Sequence, residues 1–104
     1  MTSPVSSPSI SDVLERAADR LSKPGAWVPG GGSTPDVACA ALAIDAAART
    51  REAGIAAREA FARFIGAETA RGGIWRWNDE PGRTQDEVVT ALRNAAKVAR
   101  GDHV

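Results

Sequence analysis

Cysteine and histidine each occur once in this 104-residue sequence, as Cys39 and His103. A single cysteine cannot close an internal disulfide. A zinc site needs several nitrogen or sulfur ligands, and a lone histidine near the end of the chain has no companions, so no metal is expected. Tyrosine is absent, phenylalanine occurs twice and lysine twice. The sequence holds no uninterrupted apolar run of the ~20 residues that a membrane span requires. Residues 1–9 have neither a cationic start nor an apolar stretch, so they do not read as a secretory signal, and a cytoplasmic location is expected. Net charge is absent too: thirteen basic residues balance thirteen acidic ones. Nucleic-acid binders gain affinity by neutralising phosphates, so zero net charge argues against a nucleic-acid partner.

Alanine is plentiful, at twenty-one positions, and eleven arginines provide nearly all the positive charge. The length fits one domain burying roughly two-thirds of its unfolded surface. Residues 1–8 carry two prolines and three serines before any periodic pattern and read as a disordered leader. Residues 9–101 then form a single helical domain, and 102–104 a tail.

The first helix is expected over Ile10–Ser22. Ser9 is its cap, and Ile10, Val13, Leu14, Ala17, Ala18 and Leu21 recur with helical spacing. Lys23-Pro24-Gly25 stops it, because proline lacks the N–H and clashes with the preceding turn. Trp27 anchors the following loop, which ends in Gly30-Gly31-Gly32. These glycines have no preceding strand and no following Gly-Lys-Ser/Thr, so they do not read as a phosphate loop. A second helix starts with Ser33 or Thr34 as cap and Pro35 at its first turn, and runs to Arg51. It is apolar nearly all round, the pattern of a buried central helix. A break at Gly54 opens a third helix over Ile55–Ile65.

Residues 66–83 read as irregular, with Ile74-Trp75-Arg76-Trp77 open to extended, 3₁₀ or α-helical conformation and Asn78-Asp79-Glu80-Pro81-Gly82 as a turn. Thr84-Gln85-Asp86-Glu87 is a capping box that starts the last helix. The expected fold is therefore all-α: a small four-helix bundle-like domain with a Trp-containing turn before the C-terminal helix.

At Trp77-Asn78-Asp79-Glu80-Pro81-Gly82-Arg83-Thr84, followed by Glu87-Val88 and Leu92–Ala96, the chain resembles a family of small uncharacterised proteins from actinobacteria and their phages, a domain of unknown function. The resemblance implies an early amphipathic helix ending before a Gly-Trp-like step, here Ala26-Trp27. It also implies a helix start centred on Cys39. Leu42, or Ala41 in a register shifted by one, stands where the family pattern has glycine. The preference for arginine over lysine suits a GC-rich genome of that origin. No activity comes with the resemblance.

The one dense cluster of informative residues is Trp75, Trp77, Asn78, Asp79 and Arg83, with Trp27 as an outlying member. Tryptophan and arginine are enriched at binding hot spots, so the cluster is a candidate interaction surface. The alternative is a clasp, in which the tryptophans plug the open end of the bundle, Asn78 or Asp79 caps the turn and Arg83 pairs with a carboxylate. The clasp is preferred, and one buried and one exposed tryptophan would satisfy both. Cys39 lacks the neighbouring base that a nucleophile needs. Asp79-Glu80 and Asp86-Glu87 fall where capping explains them. Arg49, Arg51, Arg58, Arg63, Arg71 and Arg76 alternate with glutamates and read as a solvated face. No catalytic or cofactor site emerges. The leading expectation is a non-enzymatic, phage- or prophage-derived module that binds another protein, with a helical DNA-binding regulator and a small enzyme using the cleft beside Trp27 and the Trp75–Arg83 segment as alternatives. Self-association through an uncovered apolar stripe is open.

Overall fold

In the computed structural model, which describes residues 9–29 and 38–101, every element is a helix: α1 (Ile10–Leu21), α2 (Ala40–Ala47), α3 (Arg51–Ile65), α4 (Ala70–Asn78) and α5 (Gln85–Ala99). The all-α fold is as expected, but the division into elements differs in the middle of the chain. The expected leader over 1–8, the glycines at 30–32, the caps at Ser33 or Thr34, and the tail with His103 lie outside the described residues.

α1 begins as read from the sequence, with the Ser9 hydroxyl accepting from the Asp12 N–H at 3.1 Å. Its apolar stripe of Val13, Leu14, Ala17, Ala18 and Leu21 is wholly buried. α1 is the hub of the domain and packs against α5, α2 and α3. α5 is its most extensive neighbour and contributes Val88, Leu92, Ala95 and Ala96 to the shared core. Arg93 and Arg100 of α5 bridge to α1 on the outside. Arg93 donates to Glu15 and Asp19 at 3.0 Å each, and Arg100 to Glu15 at 3.2 Å and to the Ser11 hydroxyl at 2.8 Å. The hydrogen bond to Asp19 raises the Arg93 guanidinium above the ordinary arginine value, with Glu15 adding to it against the opposing pull of desolvation. Gln85 ties the same pair of helices from the other end. Its amide donates at 2.6 Å to the carbonyls of Leu21 and Lys23, groups that the end of α1 leaves without helical partners.

The second helix, expected to run to Arg51, is shorter: among the described residues it covers only Ala40–Ala47. Cys39 is extended and precedes α2, and Ala48 is extended again at φ −79°, ψ 132°. Thr50 restarts the helix as the cap of α3, its hydroxyl accepting from Ala53 N–H at 3.1 Å. The break therefore falls at Ala48–Thr50 and not at Gly54. Threonine as a cap outweighed a glycine that a helix tolerates at a cost of ~1 kcal/mol. Gly54 lies inside α3 and is buried; a Cβ built there would stand 3.4 Å from Ala48 Cβ, so the missing side chain lets the end of α2 approach.

α3 stops at Gly66, whose φ of 76° is left-handed, and Ala67 N–H reaches back to Ala62 O at 2.9 Å to close the end. The segment expected to be irregular then contains α4, capped by Thr69 through a 3.4 Å hydrogen bond from Gly72 N–H. α4 packs on α3 and α2 and buries Ile74 and Asn78. The turn expected over 78–82 covers 79–82, because Asn78 is the last residue of α4. Arg83 N–H bonds to Glu80 O at 3.0 Å, and Gly82 supplies the φ of 87° that a type II turn needs after Pro81. The capping box of Thr84 and Glu87 is complete in both directions.

The two adjacent glycines of α4 differ in their surroundings, which gives opposite expectations. A Cβ at Gly72 meets nothing within 4 Å, whereas one at Gly73 falls 2.5 Å from Ala67 Cβ. Gly72→Ala should stabilise by about 0.5–1 kcal/mol through helix propensity. Gly73→Ala should destabilise by about 1–3 kcal/mol, the range for overpacking. Chemical denaturation of the two variants checks the pair; equal effects would contradict this packing of α4 on the α3–α4 turn.

Candidate functional site

α4 has little reason to be helical by itself. It is nine residues long and contains Gly72, Gly73 and two tryptophans. What holds it is its last residue. The Asn78 side chain is completely buried and uses both ends of its amide. The carbonyl oxygen accepts from Trp27 Nε1 at 2.6 Å and from the Ala40 backbone N–H at 3.0 Å. The amide nitrogen donates to Val28 O at 3.3 Å and to Asp79 Oδ1 at 3.0 Å.

The bond to Ala40 explains how α2 starts. Ala40 is the first residue of α2, and its N–H is one of the donors that a helix start leaves unpaired. Cys39 occupies the cap position and makes no side-chain cap bond. Asn78 supplies the missing acceptor from a helix thirty-eight residues further along the chain. The same amide fixes the Trp27 segment, which is already joined to Ala38 by a short parallel bridge. In that bridge Val28 N–H bonds to Ala38 O at 3.2 Å, and Ala38 N–H to Ala26 O at 2.8 Å. One buried amide thus joins α4, the start of α2 and the loop after α1.

Trp77 and Arg83 form a second layer beside this knot. Trp77 meets the buried Phe61 ring edge to face, with centroids 5.4 Å apart and planes at 85°. The Arg83 guanidinium lies 4.2 Å from the centre of the Trp77 ring, and its Nε donates to Trp77 O at 2.9 Å. Its terminal nitrogens reach Glu80 at 3.4 Å and Glu87 at 3.7 Å. Arg83 therefore locks the end of α4 to the start of α5.

Of the six candidate surface residues, five form this bonded assembly. Asn78 is not exposed and is no part of a surface; it is the anchor behind one. Trp27 and Trp77 are half-buried, and Asp79 accepts from Asn78 while remaining exposed. The cleft expected beside Trp27 is bridged where the Trp27 and Asn78 side chains bond to each other. Trp75 stands apart: its side chain takes no part in these bonds, and the residue is 43% exposed. A depression of about 480 Å³ opens on the Trp77 side of α4, bordered by Ile65, Thr69, Gly72, Arg76 and Glu80.

The remaining candidates are placed as follows. Cys39 is a free thiol buried in the core. Arg58 pairs with Asp45 at 3.6 Å. Glu80 and Glu87 are committed to Arg83 and to the capping box. Among the described residues no group of His, Cys, Asp and Glu side chains could hold a metal ion, and no helix is long and apolar enough to cross a membrane. Sequence reasoning did not single out Ile55, Phe64 and Val98, which are apolar yet exposed. Their signal is that they lie away from the buried stripes of α3 and α5.

The fold and this site define a small all-helical domain held together by a buried asparagine. The model of a family of unknown function, DUF6197, matches residues 5–98, and the chain belongs to that family. Comparison with curated proteins and with solved structures finds no match.

Removing the Asn78 amide strands the buried Ala40 donor, at about 1–3 kcal/mol for an unsatisfied group, and takes the acceptor from the half-buried Trp27 indole. Asn78→Ala should therefore destabilise by about 2–4 kcal/mol once the lost packing is included. Trp27→Phe should cost about 1–2 kcal/mol, and the double variant should cost clearly less than the sum because the two changes share one bond. Denaturation midpoints of the three variants check this; strict additivity would contradict a direct Trp27–Asn78 bond.

Proposed function

We propose that this chain is a non-enzymatic interaction module that contacts another protein through α4, with Trp75 as the central residue. The observation that carries the reading is a contrast within one short helix. α4 has weak intrinsic stability and is held by a fully buried amide and a stacked arginine. The large side chain it then presents to solvent is Trp75. The backbone that carries this indole is already fixed by these bonds, so binding need not order α4, and tryptophan is among the residues that dominate interface energies.

Two placements favour binding over the alternatives. The Cys39 thiol is enclosed in the core, which argues against a nucleophile. Arg58 is paired with Asp45, and Glu52 and Glu59 alternate with the arginines of α3, which argues against a phosphate-tracking face. A cytoplasmic setting and an actinobacterial or phage origin accompany this reading, the origin being what the preference for arginine over lysine suits.

The test is affinity purification with wild-type chain and Trp75→Ala as baits. Trp75→Ala should keep the wild-type thermal midpoint, because its ring is outside the bonded assembly, and should lose the captured protein by at least about tenfold in affinity, or ~1.4 kcal/mol. A variant that stays folded and retains the same partner at wild-type strength would overturn the assignment.

A further inference from the structure

The arginines in the middle of the chain read from the sequence as one solvated face, and the structure divides them. Arg63 and Arg76 border separate depressions. Arg49, Arg51 and Arg58 come together around another, of about 500 Å³, at the turn from α2 to α3. The backbone is extended at Ala48 and again at Thr50, and the turn it makes there brings Arg49 and Arg51 to the depression. Arg51, Gly54, Ile55 and Arg58 form its wall, at the three- and four-residue spacing of one face of α3.

Positive charge is in excess at this place. Three guanidiniums border the depression with one carboxylate, that of Asp45. Glu52 and Glu59 lie next to Arg51 and Arg58 in sequence, about 100° further round the helix, and do not border it. The guanidiniums are also unspent as donors. Arg49 and Arg51 are exposed and make no ion pair or side-chain hydrogen bond among the described residues. Arg58 approaches Asp45 only to 3.6 Å, beyond hydrogen-bond length. Its Nε is enclosed and has no partner, the one buried side-chain polar atom left so among the described residues. A buried donor without an acceptor is costly until something accepts from it. The start of α3 lies at the same turn. Thr50 takes the Ala53 N–H there, while the Arg51 and Glu52 N–H groups have no helical acceptor, and the positive end of the helix dipole adds to the field.

We infer that this depression binds a phosphate group as its dianion, either free phosphate or a small phosphomonoester. Guanidinium forks meet phosphate oxygens two at a time. Three guanidiniums less one carboxylate leave an excess of two positive charges, which a dianion matches and a single carboxylate does not. Arg58 is the pivot. No hydrogen bond holds its guanidinium, so a small turn sets Nε and a terminal nitrogen side by side onto an anion between it and Arg51. Ile55, 48% exposed, gives the body of an ester an apolar rest. One cup of this kind is not the extended basic face that a nucleic-acid strand follows. Trp75 does not border it, so the inference stands apart from the function proposed for α4.

NMR titration of the isotope-labelled full chain tests the inference, with inorganic phosphate and phenyl phosphate as probes and chloride holding the ionic strength constant. At about pH 7.5, above the second phosphate pKa of about 6, both probes are mainly dianions. The Arg51 and Glu52 backbone N–H signals and the Arg58 Nε–H signal should shift to saturation, with a Kd of about 1 mM or tighter. Arg51→Gln and Arg58→Gln should each weaken binding by at least about tenfold, whereas Arg63→Gln, an equal charge change outside the depression, should alter it by less than about twofold. Asp45→Asn should bind more tightly, because it removes the carboxylate that competes for Arg58. Trp75→Ala should bind as wild type, and acetate should give no saturable shift. Circular dichroism establishes that each variant is folded. Tighter binding of phenyl phosphate assigns the ester as ligand, and tighter binding of inorganic phosphate assigns the free ion. The absence of a saturable shift with either probe would overturn the inference. So would an Arg63→Gln variant as weakened as Arg51→Gln, since general charge would then explain the binding, or an Asp45→Asn variant that binds less tightly than wild type.

Discussion

The structure depends on one buried carboxamide. Asn78 sits at the point where α4, the start of α2 and the Trp27 segment converge, and its side chain has no access to water. A buried polar group is tolerated when its bonds are made, and each end of this amide makes two. Each such bond contributes only about 1 kcal/mol net, but the alternative is a set of stranded donors in a dry core. Asparagine suits the position because it offers an acceptor and donors on one short planar group. Leucine would fill the same space and leave the Ala40 and Trp27 protons without partners.

The rest of the domain follows the usual logic of amphipathic helices around an alanine-rich centre. Small side chains let α1 lie close to three neighbours, and a few larger residues, Leu14, Leu21, Ile44, Phe61, Ile74 and Leu92, fill the remaining volume. Two side chains act at helix ends outside their own helix: Gln85 closes α1, and Asn78 opens α2. Arg83 covers the seam between α4 and α5 by stacking, hydrogen bonding and ion pairing at once, a combination that depends on the planar guanidinium. The polar bonds thus set where the helices begin and end, while burial sets which faces meet.

How much of this was legible beforehand depended on whether the signal was local. α1 and α5 were readable, because Ser9, the Thr84–Glu87 box and the apolar stripes all lie within a few residues of the elements they define. The clasp was partly readable from the concentration of Trp77, Asn78 and Arg83 before α5. The break between α2 and α3 was placed at Gly54, where a glycine is conspicuous, and missed at Thr50, whose cap is an equally local but quieter signal. α4 could not be read as a helix from its own composition, because its stability comes from partners in α2, α3 and the Trp27 loop. Asn78 reads from the sequence as a turn cap or a surface residue and not as a buried amide for the same reason: nothing next to it in sequence announces that Trp27 and Ala40 will need its amide. The exposed face of α3 and α5 was missed because exposure is decided by which helices lie alongside.

The central claim is that the Asn78 amide binds the Trp27 indole and the Ala40 backbone in a closed, dry setting. Hydrogen exchange of the individual N–H groups, followed by NMR, tests it most directly. The account requires the Trp27 indole proton and the Ala40 amide proton to exchange slowly, while the Trp75 indole proton exchanges as a solvent-exposed group. A Trp27 indole proton that exchanges as fast as that of Trp75 would contradict it.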